Sequence, residues 1–284
     1  MSILKQMQQH GSYADLPQGR VRYELAGPEH AELVVLVHGL IGHMHVWDRN
    51  FGALVEAGYR VLRFDLYGRG FSERVKQVHG SELFQAQLME LLKHLELEQS
   101  FHLIGLSMGG AISTRYASHH PDRIRSLMLV DSYGIPTPNE IGIRIVQPKL
   151  FGEFLIGAFG GPILKRAPIK GVHNKEKHRD FPEWFSAPLA VKGSKRALLS
   201  TLRNFMLEDQ LPHFKRVDHL GFPKMILWGK HDAVLPLDYG KRLHGLMPSA
   251  QFEILEDCGH VPHYENPEAF NAIMLQFVNA NGRK

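Results

Sequence analysis

One serine stands where a nucleophile would be placed. Gly105-Leu106-Ser107-Met108-Gly109-Gly110 follows a short apolar run and opens a helical pattern. The G-x-S-x-G spacing has a mechanical reason: a sharp strand-to-helix turn forces the serine into a strained backbone region, and glycines two residues to either side leave room for it. A serine hydroxyl is a weak nucleophile at neutral pH and needs a neighbouring base. The backbone N–H of Met108, next after it, is aimed at the negative charge that develops on an attacked carbonyl. The base must be a histidine whose other nitrogen is held by a carboxylate. Of eighteen histidines, His260 stands in Cys258-Gly259-His260-Val261-Pro262, on the loop after the last strand pattern, where it can reach the edge that carries Ser107. Two aspartates compete to orient it, Asp131 and Asp232, each just beyond a strand pattern. His38 reads as a structural hydrogen bonder, Asp65 as the residue that fixes its own loop, and His263 as packing against the following loop.

The elements that must position these groups are legible as short apolar runs. Leu33–Val37, Arg60–Phe64, Phe101–Gly105, Ser126–Val130, Lys224–Trp228 and Gln251–Leu255 end at Gly, Asp, His or Glu, as strands of a sheet covered on both faces do. Val21–Leu25 adds an antiparallel edge. Helical spacing appears over Trp47–Ala57, Ser81–Leu95, Met108–His119, Leu237–Met247 and Pro267–Val278, with Gly58, Pro121, Pro248 and Pro267 as boundary signals. Strands alternating with helices predict a mostly parallel sheet. The rhythm breaks over 132–219, which holds helical patches such as Lys195–Leu207 and no clear buried strand. That segment has fourteen Lys or Arg against eight Asp or Glu, while the rest of the chain is slightly acidic. Its apolar cluster, Leu150, Phe151, Phe154, Leu155, Ile156, Phe159, Ile163 and Leu164, is expected to form a ceiling over the pocket. The competing expectation is an interfacial segment with basic flanks.

Taken together, Leu36-Val37-His38-Gly39, Asp65 through Ser72, the turn at 105–110, Trp228-Gly229-Lys230-His231-Asp232 and Gly259-His260 resemble the α/β-hydrolase superfamily over nearly the whole chain. The order Ser…Asp…His agrees. The resemblance implies an α/β-hydrolase fold with a mostly parallel eight-stranded sheet flanked by helices, and a helical cap inserted after the sixth strand. The core domain is then 1–131 plus 220–284, and the cap 132–219. It also implies a catalytic triad of Ser107, His260 and Asp232, Asp232 being favoured over Asp131 because its whole segment matches. The oxyanion donors are then the amides of Leu40 and Met108. The expected reaction is hydrolysis of a carboxylic ester of short to medium acyl chain through an acyl-enzyme. The alternatives are a C–C bond hydrolase acting on ring-cleavage products, from whose usual pattern Val261 departs where a tryptophan commonly follows the histidine, and a slow-turnover ligand receptor.

Composition narrows the remaining classes. At 284 residues, with 44% hydrophobic and 22% charged residues, the chain can bury a core without staples. Cys258 is the single cysteine, so no intrachain disulfide and no multi-Cys zinc site can form. The net charge of +4 is not gathered into a stripe or tail, and nucleic acid is not an expected partner. The N-terminus lacks a secretory apolar region, so a cytoplasmic protein, monomer or homodimer, with no stable membrane insertion is expected. His43 and His45 lack a third placed ligand, and Gly68-Arg69-Gly70 lacks the context of a dinucleotide loop, so neither metal nor cofactor is expected.

Overall fold

Leu33–Val37 is apolar and buried at every position. In the computed structural model, which describes residues 11–136, 144–158 and 167–282 together with Leu4 and Met7, this strand (β3) lies inside an eight-stranded sheet. The others are β1 (Ser12–Leu16), β2 (Gly19–Ala26), β4 (Arg60–Phe64), β5 (Phe101–Leu106), β6 (Ile124–Val130), β7 (Lys224–Gly229) and β8 (Gln251–Leu255). The order is β1-β2-β4-β3-β5-β6-β7-β8. β2 pairs antiparallel with β1 and β4, and all other pairings are parallel. The buried runs read from the sequence therefore appear where expected. β1 was missed because only Ala14 and Leu16 of its five residues are buried, too few for a period to register.

The helices are α1 (Asp48–Glu56), α2 (Ser81–His94), α3 (Met108–His119), α4 (Phe151–Ala158), α5 (Phe181–Ser186), α6 (Ser194–Asn204), α7 (Leu211–Asp218), α8 (Leu237–Leu246), α9 (Pro262–Glu265) and α10 (Pro267–Ala280). Trp47, expected to open a helix, instead ends a 3-10 turn over Met44–Trp47. The Met44 N–H is drawn to the Asp65 carboxylate at 2.7 Å, which sets where that turn begins. Phe84, Leu88, Tyr116 and Leu243 pack on one face of the sheet, and Trp47, Leu54, Phe270 and Met274 on the other. The described residues between β6 and β7 form helices and turns, and no strand.

The expected apolar ceiling is overturned in part. Leu150 is 83% exposed, Phe151 52% and Phe154 63%, so these three do not cover a pocket. The reason is the side by which α4 packs. Its one buried position is Gly152, with Leu155 and Ile156 half-buried: a Cβ on Gly152 would lie 2.3 Å from the Val146 carbonyl oxygen and 2.5 Å from the Arg203 guanidinium. Arg203 also grips Glu153 through two bonds of 2.6 and 3.0 Å. Leu150, Phe151 and Phe154 are left to face outward. Phe159, Ile163 and Leu164 lie outside the described residues.

Candidate active site

The turn between β5 and α3 holds Ser107 at φ 54°, ψ −120°, a region costly for any residue with a side chain. What keeps it there is tight packing on both sides. A Cβ on Gly105 would sit 2.4 Å from the Gly109 carbonyl oxygen, and one on Gly109 the same 2.4 Å from that of Val37. Neither position can carry a side chain, which is the steric content of the G-x-S-x-G spacing. Three backbone bonds close the turn: the Ser107 N–H donates to Val130 O at 2.9 Å, and the N–H groups of Gly110 and Tyr133 donate to Ser107 O at 2.9 and 3.0 Å. Met108 is the first residue of α3, so its amide has no acceptor within the helix and lies beside the serine.

Asp232 and His260 meet from the loops after β7 and β8. The Asp232 Oδ2–His260 Nδ1 distance is 2.7 Å, with the carboxylate buried. Asp232 Oδ1 accepts the N–H groups of Val234 and Leu235 at 2.7 and 2.9 Å, which fixes the orientation of the carboxylate. With Nδ1–H donated to Asp232, Nε2 is the basic nitrogen. Ser107, Leu40 and His260 line one cavity of about 260 Å³. Its walls are otherwise apolar, among them Ile41, Phe181, Phe185, Met206, Leu235 and Val261, and no Lys, Arg, Asp or Glu is among its described lining residues.

Asp131 is the neighbour of this pair rather than a stranger to it. Ligand atoms of Asp131, Asp232 and His260 lie within 4.8 Å of one another. Asp131 Oδ1 accepts the Gly229 N–H at 2.9 Å, while the buried Oδ2 faces no donor. Burial, then the negative charge of Asp232, push the Asp131 carboxyl well above the usual carboxylate range. A protonated Asp131 resolves the orphaned oxygen, because it becomes a donor beside Asp232. Three ligand-type atoms so close could suggest a cation, but His260 Nδ1 and Asp232 Oδ2 are engaged with each other.

The loops around the cavity are fixed by groups read as structural. His38 Nδ1–H donates to Gly39 O at 2.8 Å and Nε2 accepts the Leu66 N–H at 2.9 Å, so both nitrogens are used. Burial pushes the ring down to about 4, consistent with a neutral tautomer. Asp65 ties its own loop through the Phe71 N–H at 2.8 Å, as expected, and reaches Met44 as well. His263, expected to pack against the following loop, is buried between Trp47 and Phe270 of α10, at ring distances of 4.5 and 5.8 Å. His43 packs against Trp184 at 4.9 Å and is no part of the cavity lining.

Two positioning groups escaped the sequence reading. Arg69 Nε donates to Leu40 O at 2.9 Å and its Nη2 to Thr201 Oγ1 at 2.8 Å, holding the loop after β3 to α6. Glu265, also buried, accepts the Gly259 N–H at 2.7 Å on one oxygen and the His173 N–H at 2.7 Å on the other. The His260 N–H donates to Gly171 O at 2.7 Å. The loop that carries His260 is thus bonded to the segment at 171–174. A glutamate five residues after the histidine, just before a proline-started helix, was the available signal.

A family model described as the alpha/beta hydrolase fold matches residues 32–267. A 2-hydroxy-6-oxononadienedioate/2-hydroxy-6-oxononatrienedioate hydrolase from Paraburkholderia phymatum is 29% identical over 281 residues, covering 91% of each chain. One of the same description from Cupriavidus pinatubonensis is 31% identical over 261 residues, covering 87% of each. Among solved structures, a thermophilic esterase from Thermogutta terrifontis superimposes with a TM-score of 0.81 at 21% identity, covering 96% of this chain and 100% of the other.

Proposed function

The chain belongs to the α/β-hydrolase fold family, and from that premise we propose that this hydrolase cleaves uncharged carboxylic esters with an apolar acyl group of short to medium length. The observation that carries the reading is the cavity wall. A carboxylate buried there would lose its hydration with no lysine or arginine to pair with, a cost of several kcal/mol per ion. An alkyl group gains roughly 0.8 kcal/mol per buried CH₂ until the space is full. The volume of about 260 Å³ sits near the lower end of small-molecule pockets.

Ser107 Oγ attacks the ester carbonyl as His260 Nε2 takes its proton, and Asp232 holds the imidazolium that results. The oxyanion is received by the amides of Leu40 and Met108. His260 then protonates the departing alcohol, and water repeats the sequence on the acyl-enzyme. Residues 132–219 act as the lid, supported by Phe181, Phe185 and Met206 among the cavity walls.

The relatives' descriptions favour a second reading, hydrolysis of a C–C bond in a ring-cleavage product. Their named substrates are dicarboxylates, whose charges find no partner among the described wall residues, and Val261 follows His260. The test is a series of p-nitrophenyl esters of increasing acyl length set against a 2-hydroxy-6-oxo-dienoate substrate. Rising kcat/KM with chain length up to a plateau, abolished by Ser107→Ala, supports the ester reading. Faster turnover of the dienoate would replace it with C–C hydrolysis.

A further inference from the structure

The outward face of α4 is unlike the rest of the described surface. Leu150, Phe151 and Phe154 are each more than half exposed. Leu150 also adopts φ 64°, a left-handed conformation that a leucine enters at a cost, and it spends that strain on projecting into solvent. The tip is nevertheless braced from behind. Arg203 donates to the carbonyls of Val146 and Pro148, each at 3.0 Å, as well as to Glu153. Beside the tip runs a groove whose lining includes Lys149, Lys195 and Arg196 together with exposed Val78. Glu153 is the one carboxylate among its described lining residues, and it is neutralised by Arg203.

We propose that this braced apolar tip and its basic rim form a docking surface for an anionic lipid bilayer. Leu150, Phe151 and Phe154 at the start of α4, set beside Lys149 and the α6 cations Lys195 and Arg196, match the two requirements of interfacial contact: apolar groups to enter the acyl boundary and positive charge to meet the headgroups. Charge complementarity selects this occupant over a second copy of the chain, since two such surfaces face to face would bring like charges together. No helix among the described residues is long and apolar enough to cross a membrane, so the contact is peripheral. The surface lies apart from the cavity walls, and the proposal stands or falls independently of the ester reading.

Co-sedimentation with phosphatidylcholine vesicles, with and without phosphatidylglycerol, tests it. Wild type should pellet with the anionic vesicles at low salt, stay in solution with the neutral ones, and be released at about 1 M salt, where the screening length falls to ~3 Å. Lys149→Ala with Lys195→Ala should weaken binding by roughly fivefold per lysine, and Leu150→Asp with Phe151→Asp should abolish it. The far-UV circular dichroism of both variants should match wild type and their Tm should lie within a few degrees of it, which reports that they are folded, as surface changes usually are. Ser107→Ala should bind vesicles as wild type does, which separates this surface from the chemistry. Absence of wild-type binding, equal binding to neutral vesicles, binding untouched by the variants, or a dimer that the Asp substitutions dissolve would each overturn the proposal.

Discussion

Replacing Asp131 with asparagine separates the two carboxylates that crowd His260. If both were ionised at the separation of up to 4.8 Å, their repulsion would be about 3.5 kcal/mol at an effective dielectric of 20. Burial and the charge of Asp232 raise the Asp131 carboxyl well above the usual range and so favour its protonated form, which asparagine mimics: an acceptor for the Gly229 N–H and a donor toward Asp232. Activity at neutral pH should stay within about threefold of wild type, whereas Asp232→Asn, which loses the tautomer of His260, should cost about 10⁴ in kcat. The thermal signature follows from the raised pKa. In the unfolded chain Asp131 ionises near pH 4; the folded chain keeps the proton to higher pH. Its contribution is therefore complete below about pH 4 and declines as pH rises toward the folded value, by up to about 1.4 kcal/mol per unit. Asparagine has no such decline. Differential scanning fluorimetry from pH 5 to 8 should show the Tm advantage of Asp131→Asn widening by roughly 2–4 °C per unit. A pH-independent difference would refute the protonated assignment, and a 10⁴ loss in Asp131→Asn with little in Asp232→Asn would move the acid to β6.

Two further outcomes test the scaffold. Gly109→Ala should lose more than about 3 kcal/mol in urea unfolding, because the new Cβ meets the Val37 carbonyl at 2.4 Å and backbone cannot yield cheaply; a loss under about 1 kcal/mol would show the turn to be looser than drawn. Glu265→Ala strands the amides of Gly259 and His173 and should lower kcat more than it raises KM, with Glu265→Gln recovering part of the loss.

The parts of this fold that read clearly from the sequence are those where one physical demand fixed the residue type. β3 is buried on both faces and is apolar throughout; Gly105 and Gly109 have no room for a Cβ; Pro267 opens α10. The proximity of Asp232 to His260 followed from a matched segment, and the 2.7 Å contact agrees with it. What stayed hidden depends on distant partners. α4 packs through Gly152 against Val146 and Arg203, so Leu150, Phe151 and Phe154 of the string that suggested a ceiling face solvent instead. Glu265 and Arg69 act on backbone groups far along the chain, and side chain to backbone contacts leave no periodic trace. β1 is half exposed and too short to declare itself.

The bonds from Glu265 to Gly259 and His173, with that from His260 to Gly171, bear on how such a protein can be rebuilt. They make the segment at 171–174, between β6 and β7, and the histidine loop a single mechanical part. A recombination that exchanged residues 132–219 for the corresponding segment of another family member, to borrow its substrate range, would cut those bonds at the base of the loop that carries His260. The transferable unit is therefore 132–219 together with 258–265, and grafts that exchange 132–219 alone should arrive with their histidine out of place.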